Sequence, residues 1–483
     1  MMACFRTLAG TWRPTTSGAG RRRAPCGLFV CLTVVAAFLV SACTRQIAPI
    51  RHTGLAGAYV IPDPTVGRVT AYIAPIRHTG LAGAYVIPDP TVGRVTAYLV
   101  ILSGEAANIG PEGLAHYVEH LTVLNSLFLD HSNFERDSNA STTNLITEYH
   151  IQGSAGDLPT MMQTLTKVFQ PFTRPDKIMR DERKIIAREY DYRIKENPLA
   201  RISEQINRRL FGSDPRGRSV MGKLQDIHSF TLAEARAFHA RVYRLGNAVL
   251  IIEGNVTEKK AGPIVQAAFP AGDVPARLEP LKFLPQPQTR DVRKLSVARL
   301  AAPVLVYVKL VTLDSPVDIA TLDMQAGLVD DVLDTPLPGG IAGPLRFDAF
   351  LAQSYDLGVE VVDECHLVMR FTARPDQGVT LDRLMKAFEA SVAKTAKSGV
   401  PGGTFNHIKQ SDLDSFLESD DPADFALDDA LFMAALHHRP RSRAKMISTL
   451  RKTGKARIDA LLRALAGPGR VAAILATPSD NKE

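Results

Sequence analysis

The stretch Gly113-Leu114-Ala115-His116-Tyr117-Val118-Glu119-His120-Leu121 decides how this chain is read. Pro111 and Gly113 stand at its start and apolar residues follow at helical intervals, which predicts a helix beginning here. On that helix His116 and His120 are four apart, so they stack on one face, a turn from each other. Two neutral imidazoles so placed can bind one Zn²⁺. Glu119 lies three after His116 and one before His120, so it projects beside the metal without displacing a ligand. There it can take a proton from an activated water and pass it to a leaving amine. The competing reading is a helix with two partly exposed histidines and a solvated glutamate. Chance places these three residues in a fixed five-residue window in only about one or two chains per hundred of this size, which favours the metal reading.

A zinc enzyme needs a third protein ligand and an open fourth position. Downstream, Thr173-Arg174-Pro175-Asp176-Lys177 opens a second predicted helix that runs to about Lys195. It carries Glu182 and Glu189, seven apart and therefore two turns along one face. One could ligate zinc while the other supports a ligand histidine from behind. Asp181, Arg183, Lys184 and Arg188 decorate the same helix, so spacing alone leaves an amphipathic surface helix open.

At this point the residues resemble the insulinase/pitrilysin metallopeptidases, a family that includes the mitochondrial processing peptidases. Its H-x-x-E-H motif, the inverted order of the common zinc signature, is followed many tens of residues later by a helix with two Glu seven apart. The resemblance implies Glu189 as third ligand, Glu182 as its support and one Zn²⁺ per chain. The gap from His120 to Glu189 is 69 residues, shorter than usual for the family, as a trimmed loop between Leu121 and Asn139 would produce. Asn139-Ala140-Ser141-Thr142, running on to Thr147-Glu148-Tyr149, is similar to the family's edge strand. There Asn139 and Ala140 would pair with an extended substrate by strand addition. Phe211-Gly212, Phe230-Thr231, Tyr243 and Asn247 to Val256 also match in order, so the resemblance runs from about Gly80 to Pro270.

A Pro-rich stretch with Pro280, Pro285 and Pro287 reads as a linker, and strand-like and helical patterns start again beyond it. Val304–Leu313, Val359–Val362, His366–Ala373 and Val471–Ala476 read as strands; Asp323–Leu333, Leu345–Ala352 and Leu381–Ala396 read as helices. No second H-x-x-E-H follows residue 120, and the adjacent His437 and His438 point different ways on a helix. The resemblance therefore implies a related second domain without metal. In the family that domain supplies an Arg and a Tyr to the substrate, and Arg346 and Tyr355 are the nearest matches, two residues off the family spacing.

The N-terminus carries a different message. Arg6, Arg13, Arg21, Arg22 and Arg23 supply five of the seven net positive charges, so the rest of the chain is nearly neutral. That removes the electrostatic case for nucleic acid. An apolar run from Gly27 to Val40 ends at Ser41-Ala42-Cys43, which reads as an export signal cut before a lipidated Cys43; an uncleaved anchor helix is the alternative, with a run short for a full span. Both put the body outside the cytoplasm, and the first makes it an exported bacterial lipoprotein on the periplasmic face of a membrane or on the cell surface. Of the five cysteines only Cys365 lies beyond Cys43, so no intrachain disulfide is expected in the body.

Residues 47–72 recur unchanged as 73–98, which reads as a recent duplication rather than a solenoid repeat. The second copy runs on into Leu99-Val100-Ile101-Leu102 and is expected to form a hairpin turning at Pro88-Asp89-Pro90. The expected architecture is α+β: two related domains, each a mainly antiparallel sheet with helices packed on one face, enclosing a cleft. Its segments are a signal peptide at 1–42, a linker with the surplus copy at 43–72, a zinc-binding peptidase domain at 73–271, a Pro-rich linker at 272–298 and a metal-free peptidase-like domain at 299–483. The function expected is zinc-dependent hydrolysis of peptides or unfolded segments, by one chain or with a homodimeric or paralogous partner. The alternatives are a non-catalytic or partner-dependent subunit acting in binding or assembly, and a zinc hydrolase of another class.

Overall fold

A computed structural model describes residues 72–127, 138–271, 278–418 and 422–479, together with two short strands, β1 (Ala48–Pro49) and β2 (Tyr59–Val60). The signal segment, Cys43 and most of the first repeat copy lie outside the described residues, as do 128–137 of the loop after the histidine motif. β1 and β2 pair Ala48 with Val60 and Pro49 with Tyr59. In the second copy β3 (Ala74–Pro75) and β4 (Gly83–Pro88) pair Ala74 with Val86 and Pro75 with Tyr85, the same register in the repeated residues.

The N-terminal half continues with β5 (Val95–Ile101), α1 (Leu114–Thr122), β6 (Ser138–Thr142) and β7 (Thr147–Gly153). Five helices follow: α2 (Leu158–Thr166), α3 (Asp176–Tyr190), α4 (Pro198–Phe211), α5 (Leu224–Ser229) and α6 (Leu232–Val242). β8 (Ala248–Gly254) and α7 (Glu258–Ala268) close it. The C-terminal half repeats the plan. β9 (Arg290–Val297), β10 (Val304–Thr312), α8 (Ile319–Asp334), β11 (Ala352–Asp363) and β12 (His366–Pro375) lead into α9 (Leu381–Ser398), α10 (Gly402–Glu418), α11 (Pro422–Ala435), α12 (Arg443–Lys452) and α13 (Lys455–Ala466), and β13 (Arg470–Pro478) ends it.

The sheets run β3-β4-β8-β5-β7-β6 and β11-β12-β10-β13-β9. Read from β6 and from β11, both orders have the same sense: three antiparallel pairings, then one parallel pairing, β8 with β4 and β13 with β9. The two halves are thus related domains of mainly antiparallel sheet. The expected hairpin of β4 and β5 is corrected, because β8 lies between them and bonds to both. Two further expectations fail. Leu345–Ala352 is a wide turn of helix at Gly343–Phe347 followed by the start of β11. The stretch 272–298 contains β9, whose Arg290, Asp291, Arg293 and Lys294 hide the strand pattern because an edge strand is solvated on one side.

Each sheet keeps its own helices on one face, and the other face is covered from across the molecule. Ile202, Ile206, Leu210 and Phe211 of α4 pack on Val306, Val308, Val368 and Ile474 of the C-terminal sheet. Ala423, Ala426, Leu427, Ala430, Leu431 and Ala434 of α11 pack on Ile87, Val100, Val249 and Ile251 of the N-terminal sheet. α4 and α11 hold the same place in the two helix runs, so the halves exchange equivalent helices. This explains why β5 and β8 are apolar on both faces, and why the described residues from Tyr72 onward pack as one compact unit. Shaving one methyl from the exchanged helix with Ile206→Val is expected to cost about 0.5–1.5 kcal/mol, read from the urea midpoint. An unchanged midpoint would mean that α4 does not hold the halves together.

Candidate metal centre

α1 begins on Gly113, whose φ of 90° puts it in the left-handed region. No side chain caps the helix from within, and Glu105 does so from a distance: its carboxylate accepts from Ala115 N at 3.3 Å, and also from Asn108 Nδ2 at 2.9 Å and Arg218 Nε at 3.1 Å. Leu114, Ala115, Tyr117, Val118 and Leu121 turn into the core against the sheet. Tyr117 Oη donates to Met179 O at 2.8 Å and so ties α1 to α3. On α3, Met179 and Ile186 bury one stripe, and Glu182 and Glu189, displaced by three residues, form a second stripe that faces α1.

These contacts bring His116, His120 and Glu189 together, with one donor atom from each lying within 4.8 Å of the others. His116 Nε2 and His120 Nε2 are 3.2 Å apart, and Glu189 Oε2 stands 3.6 Å from the first and 3.3 Å from the second. Tetrahedral ligands about 2.0–2.1 Å from a zinc ion stand roughly 3.3–3.4 Å from one another, so these donors fit such an ion without rearrangement. Glu182 Oε1 accepts from His120 Nδ1 at 2.9 Å, which leaves Nε2 of a neutral ring unprotonated and aimed at the shared point. Arg193 Nε binds the other oxygen of Glu189, Oε1, at 2.7 Å. Glu119 is 6% exposed, and its Oε2 accepts from Thr142 Oγ1 at 2.7 Å.

The electrostatics follow from burial and from these partners. Burial drives His116 down to about 3, helped by the neighbouring charge of His120. Burial would lower His120 too, but its hydrogen bonds to Glu182 and Glu189 outweigh that and raise it to about 9. Burial works upward on Glu189, and the His120 hydrogen bond with the charges of His116 and Arg193 brings it down to about 2. Burial pushes Glu119 up to about 7 against the pull of His120 and Thr142. A neutral His116, an ionised Glu189 and a His120 that would give up its Nε2 proton to a cation converge on one point, and two imidazoles with one carboxylate are the donor set a divalent cation of intermediate softness needs.

Residues 85–224 match the family described as Insulinase (Peptidase family M16), and residues 229–411 match the Peptidase M16 inactive domain. The chain belongs to the insulinase/pitrilysin family. It is similar to the zinc protease PqqE of Helicobacter pylori, 23% identical over 328 residues, which cover 64% of this chain and 72% of that one. It is similar to the mitochondrial-processing peptidase subunit beta of Saccharomyces cerevisiae, 24% identical over 183 residues, 36% of this chain and 39% of that one. The fold matches a putative M16-like peptidase from Alicyclobacillus acidocaldarius with a TM-score of 0.69 at 17% identity, covering 84% of this chain and 98% of that one. For an insulinase-family chain the His-His-Glu group falls where expected, inside the stretch matched to the Insulinase description, and the C-terminal stretch carries the name of the inactive domain.

The other expected site residues spread more widely. Asn139 and Ala140 lie on β6, the edge of the N-terminal sheet, whose outer side pairs with no described strand. Asn139 is exposed and Ala140 packs against the core beside α1. Arg346 is exposed on the wide turn, its guanidinium 5.7 Å from the Phe347 ring. Tyr355 lies on β11, the counterpart of β6, and its hydroxyl donates to Asp334 O at 3.5 Å. A cavity of about 940 Å³ lies between the halves, lined by Ala106, Leu145, Arg241, Phe283 and His366 among others, and none of the four motif residues lines it.

Thr142 carries no signal of its own in the sequence, because it reaches the centre across a tertiary contact; Arg193 does carry one, the i,i+4 spacing from Glu189 on the same predicted helix. Glu182→Gln is expected to weaken zinc binding about 10- to 100-fold, because the amide no longer supports the ligating ring as a carboxylate does. Competition with a coloured chelator measures this, and parental affinity in Glu182→Gln would remove Glu182 from the centre.

Proposed function

We propose that this chain is an exported zinc metallopeptidase that cleaves peptides or unfolded segments at the α1–α3 centre. The observation that carries the proposal is the convergence of His116 Nε2, His120 Nε2 and Glu189 Oε2 with Glu119 beside them. A zinc ion held there would act as a Lewis acid on the scissile carbonyl and would acidify a neighbouring water. Glu119, nearly buried and with its carboxyl raised to about 7, takes the proton of the attacking water and returns it to the departing amine. Glu182 keeps the His120 ring in one orientation, and Arg193 occupies Glu189 Oε1 so that Oε2 faces the histidines. The open edge of β6 offers backbone groups to an extended peptide, with Asn139 and Ala140 at the pairing positions.

The Arg-rich start, the apolar run and Ser41-Ala42-Cys43 support export and lipid anchoring at Cys43. A second reading, a subunit that needs a partner chain, is favoured by the C-terminal half, which matches the inactive domain and carries no H-x-x-E-H of its own. A homodimeric or paralogous partner would then close over the substrate.

The test is zinc content by elemental analysis, and hydrolysis of a quenched-peptide library, on protein starting after Cys43. One zinc per chain with chelator-sensitive cleavage is the expected result. Zinc without cleavage would select the partner-dependent reading, and no zinc at 1:1 loading would overturn both.

A further inference from the structure

Glu119 sits on α1, yet the hydrogen bond the described residues give its carboxylate comes from another element, from Thr142 Oγ1 to Oε2 at 2.7 Å. Thr142 is the last residue of β6 and pairs with Thr147 across the β6–β7 ladder. Thr147 Oγ1 donates to Ser103 O at 3.1 Å and lies 3.4 Å from Thr142 Oγ1. A hydroxyl has one proton to give. Thr147 spends its proton on Ser103, and Thr142 directs its own to Glu119. Behind this pair Tyr149 and Tyr243, both buried, join hydroxyl to hydroxyl at 2.7 Å. The threonine thus stands on a fixed polar floor.

We infer that Thr142 is the positioning residue for Glu119, and that it sets this carboxylate against the edge strand on which a peptide would pair. This rests on the proposal that Glu119 is the general base. The last torsion of a glutamate side chain is broad and roughly two-fold, so an untethered carboxylate presents either oxygen at many angles. With Oε2 tied to Thr142, Oε1 is the oxygen that meets the proton of the attacking water. Because the tether is part of β6, a backbone held along the free edge of β6 and the oxygen that serves it belong to one rigid frame. Ala140, two residues before Thr142 and on the same side of the strand, packs against the core next to α1, which keeps that frame from sliding.

Thr142→Val keeps the shape and removes the donor; Thr142→Ser keeps the donor. Thr142→Val is expected to lower kcat about 10- to 100-fold with KM within about twofold of the parent, a loss in the range of one hydrogen bond to a charged group. Thr142→Ser is expected to recover kcat to within about threefold, and all three proteins are expected to hold one zinc. A readout that needs neither zinc nor turnover is the double-mutant cycle of Thr142→Val with Glu119→Ala, followed by urea unfolding in chelator. The expected coupling is at least about fivefold in the unfolding equilibrium constant. Parental kcat in Thr142→Val would overturn the inference. If the parent turns nothing over, the peptidase proposal fails separately, and the cycle decides: coupling upholds the tether and additive effects overturn it.

Discussion

Glu119→Gln is expected to hold one zinc per chain and to lower kcat about 100- to 10,000-fold, the usual contribution of a positioned acid–base group. The amide matches the carboxylate in shape, and its oxygen still accepts from Thr142 Oγ1, so the side chain keeps its place on α1. None of the three converging donor atoms belongs to residue 119, so zinc uptake is untouched. What is lost is the ability to take a proton from water, because an amide does not become a base at neutral pH. KM is expected to stay within a few-fold, since the peptide would be held by the β6 edge rather than by Glu119. Zinc by elemental analysis and steady-state kinetics on the same preparation decide the matter. A Gln variant that keeps more than about a tenth of parental kcat would show that water is activated without Glu119.

The His-His-Glu cluster was legible in the sequence because helices convert spacing into direction. The spacing of four from His116 to His120, and of seven from Glu182 to Glu189, fixes which side chains share a face before any packing is known. What spacing cannot say is which glutamate faces the histidines with which oxygen. The fold brings Glu182 Oε1 to His120 Nδ1 and Glu189 Oε2 to the two Nε2 atoms. Thr142 was illegible, whereas Arg193 was open to the i,i+4 rule. The first acts across a sheet–helix contact that no local spacing announces, and the second sits one turn past Glu189 on the continuation of α3.

The same contrast runs through the fold. Strands with one or two apolar faces, such as β8 and β10, declare themselves. β9 does not, because charges occupy its solvated side, and the β4–β5 hairpin was misread because β8, some 150 residues downstream, slots between them. No local pattern announces a strand inserted from so far along the chain. The exchange of α4 and α11 was equally silent. An amphipathic helix shows that it buries a stripe but not against which sheet.

The largest structural effect is expected one step behind the histidines, at Gly222. Its φ of 73° and the 90° of Gly113 place two left-handed glycines back to back where α1 begins. A Cβ added at Gly222 would lie 2.3 Å from Glu112 O and 3.1 Å from Gly113 Cα, and one added at Gly113 would lie 2.8 Å from Gly222 Cα. The obstructing atoms are backbone, so no side chain can swing aside. Glu112 is further pinned by Arg208 of α4, itself packed on the C-terminal sheet, so the strain cannot drain off through that residue either. Gly222→Val adds a β-branched side chain to a left-handed backbone, and it is expected to cost at least about 4 kcal/mol in the urea unfolding transition. His116 is three residues past Gly113, so whatever shift the chain accepts is passed to the first ligand; zinc affinity is expected to fall at least about tenfold in the folded fraction. Gly93→Ala is the control, since its added Cβ meets nothing within 4 Å, and it is expected to stay within about 0.5 kcal/mol of the parent. Stability and zinc affinity in Gly222→Val equal to that control would mean that the glycine pair does not set the start of α1, and that the two histidines owe their direction to the core side of the helix alone.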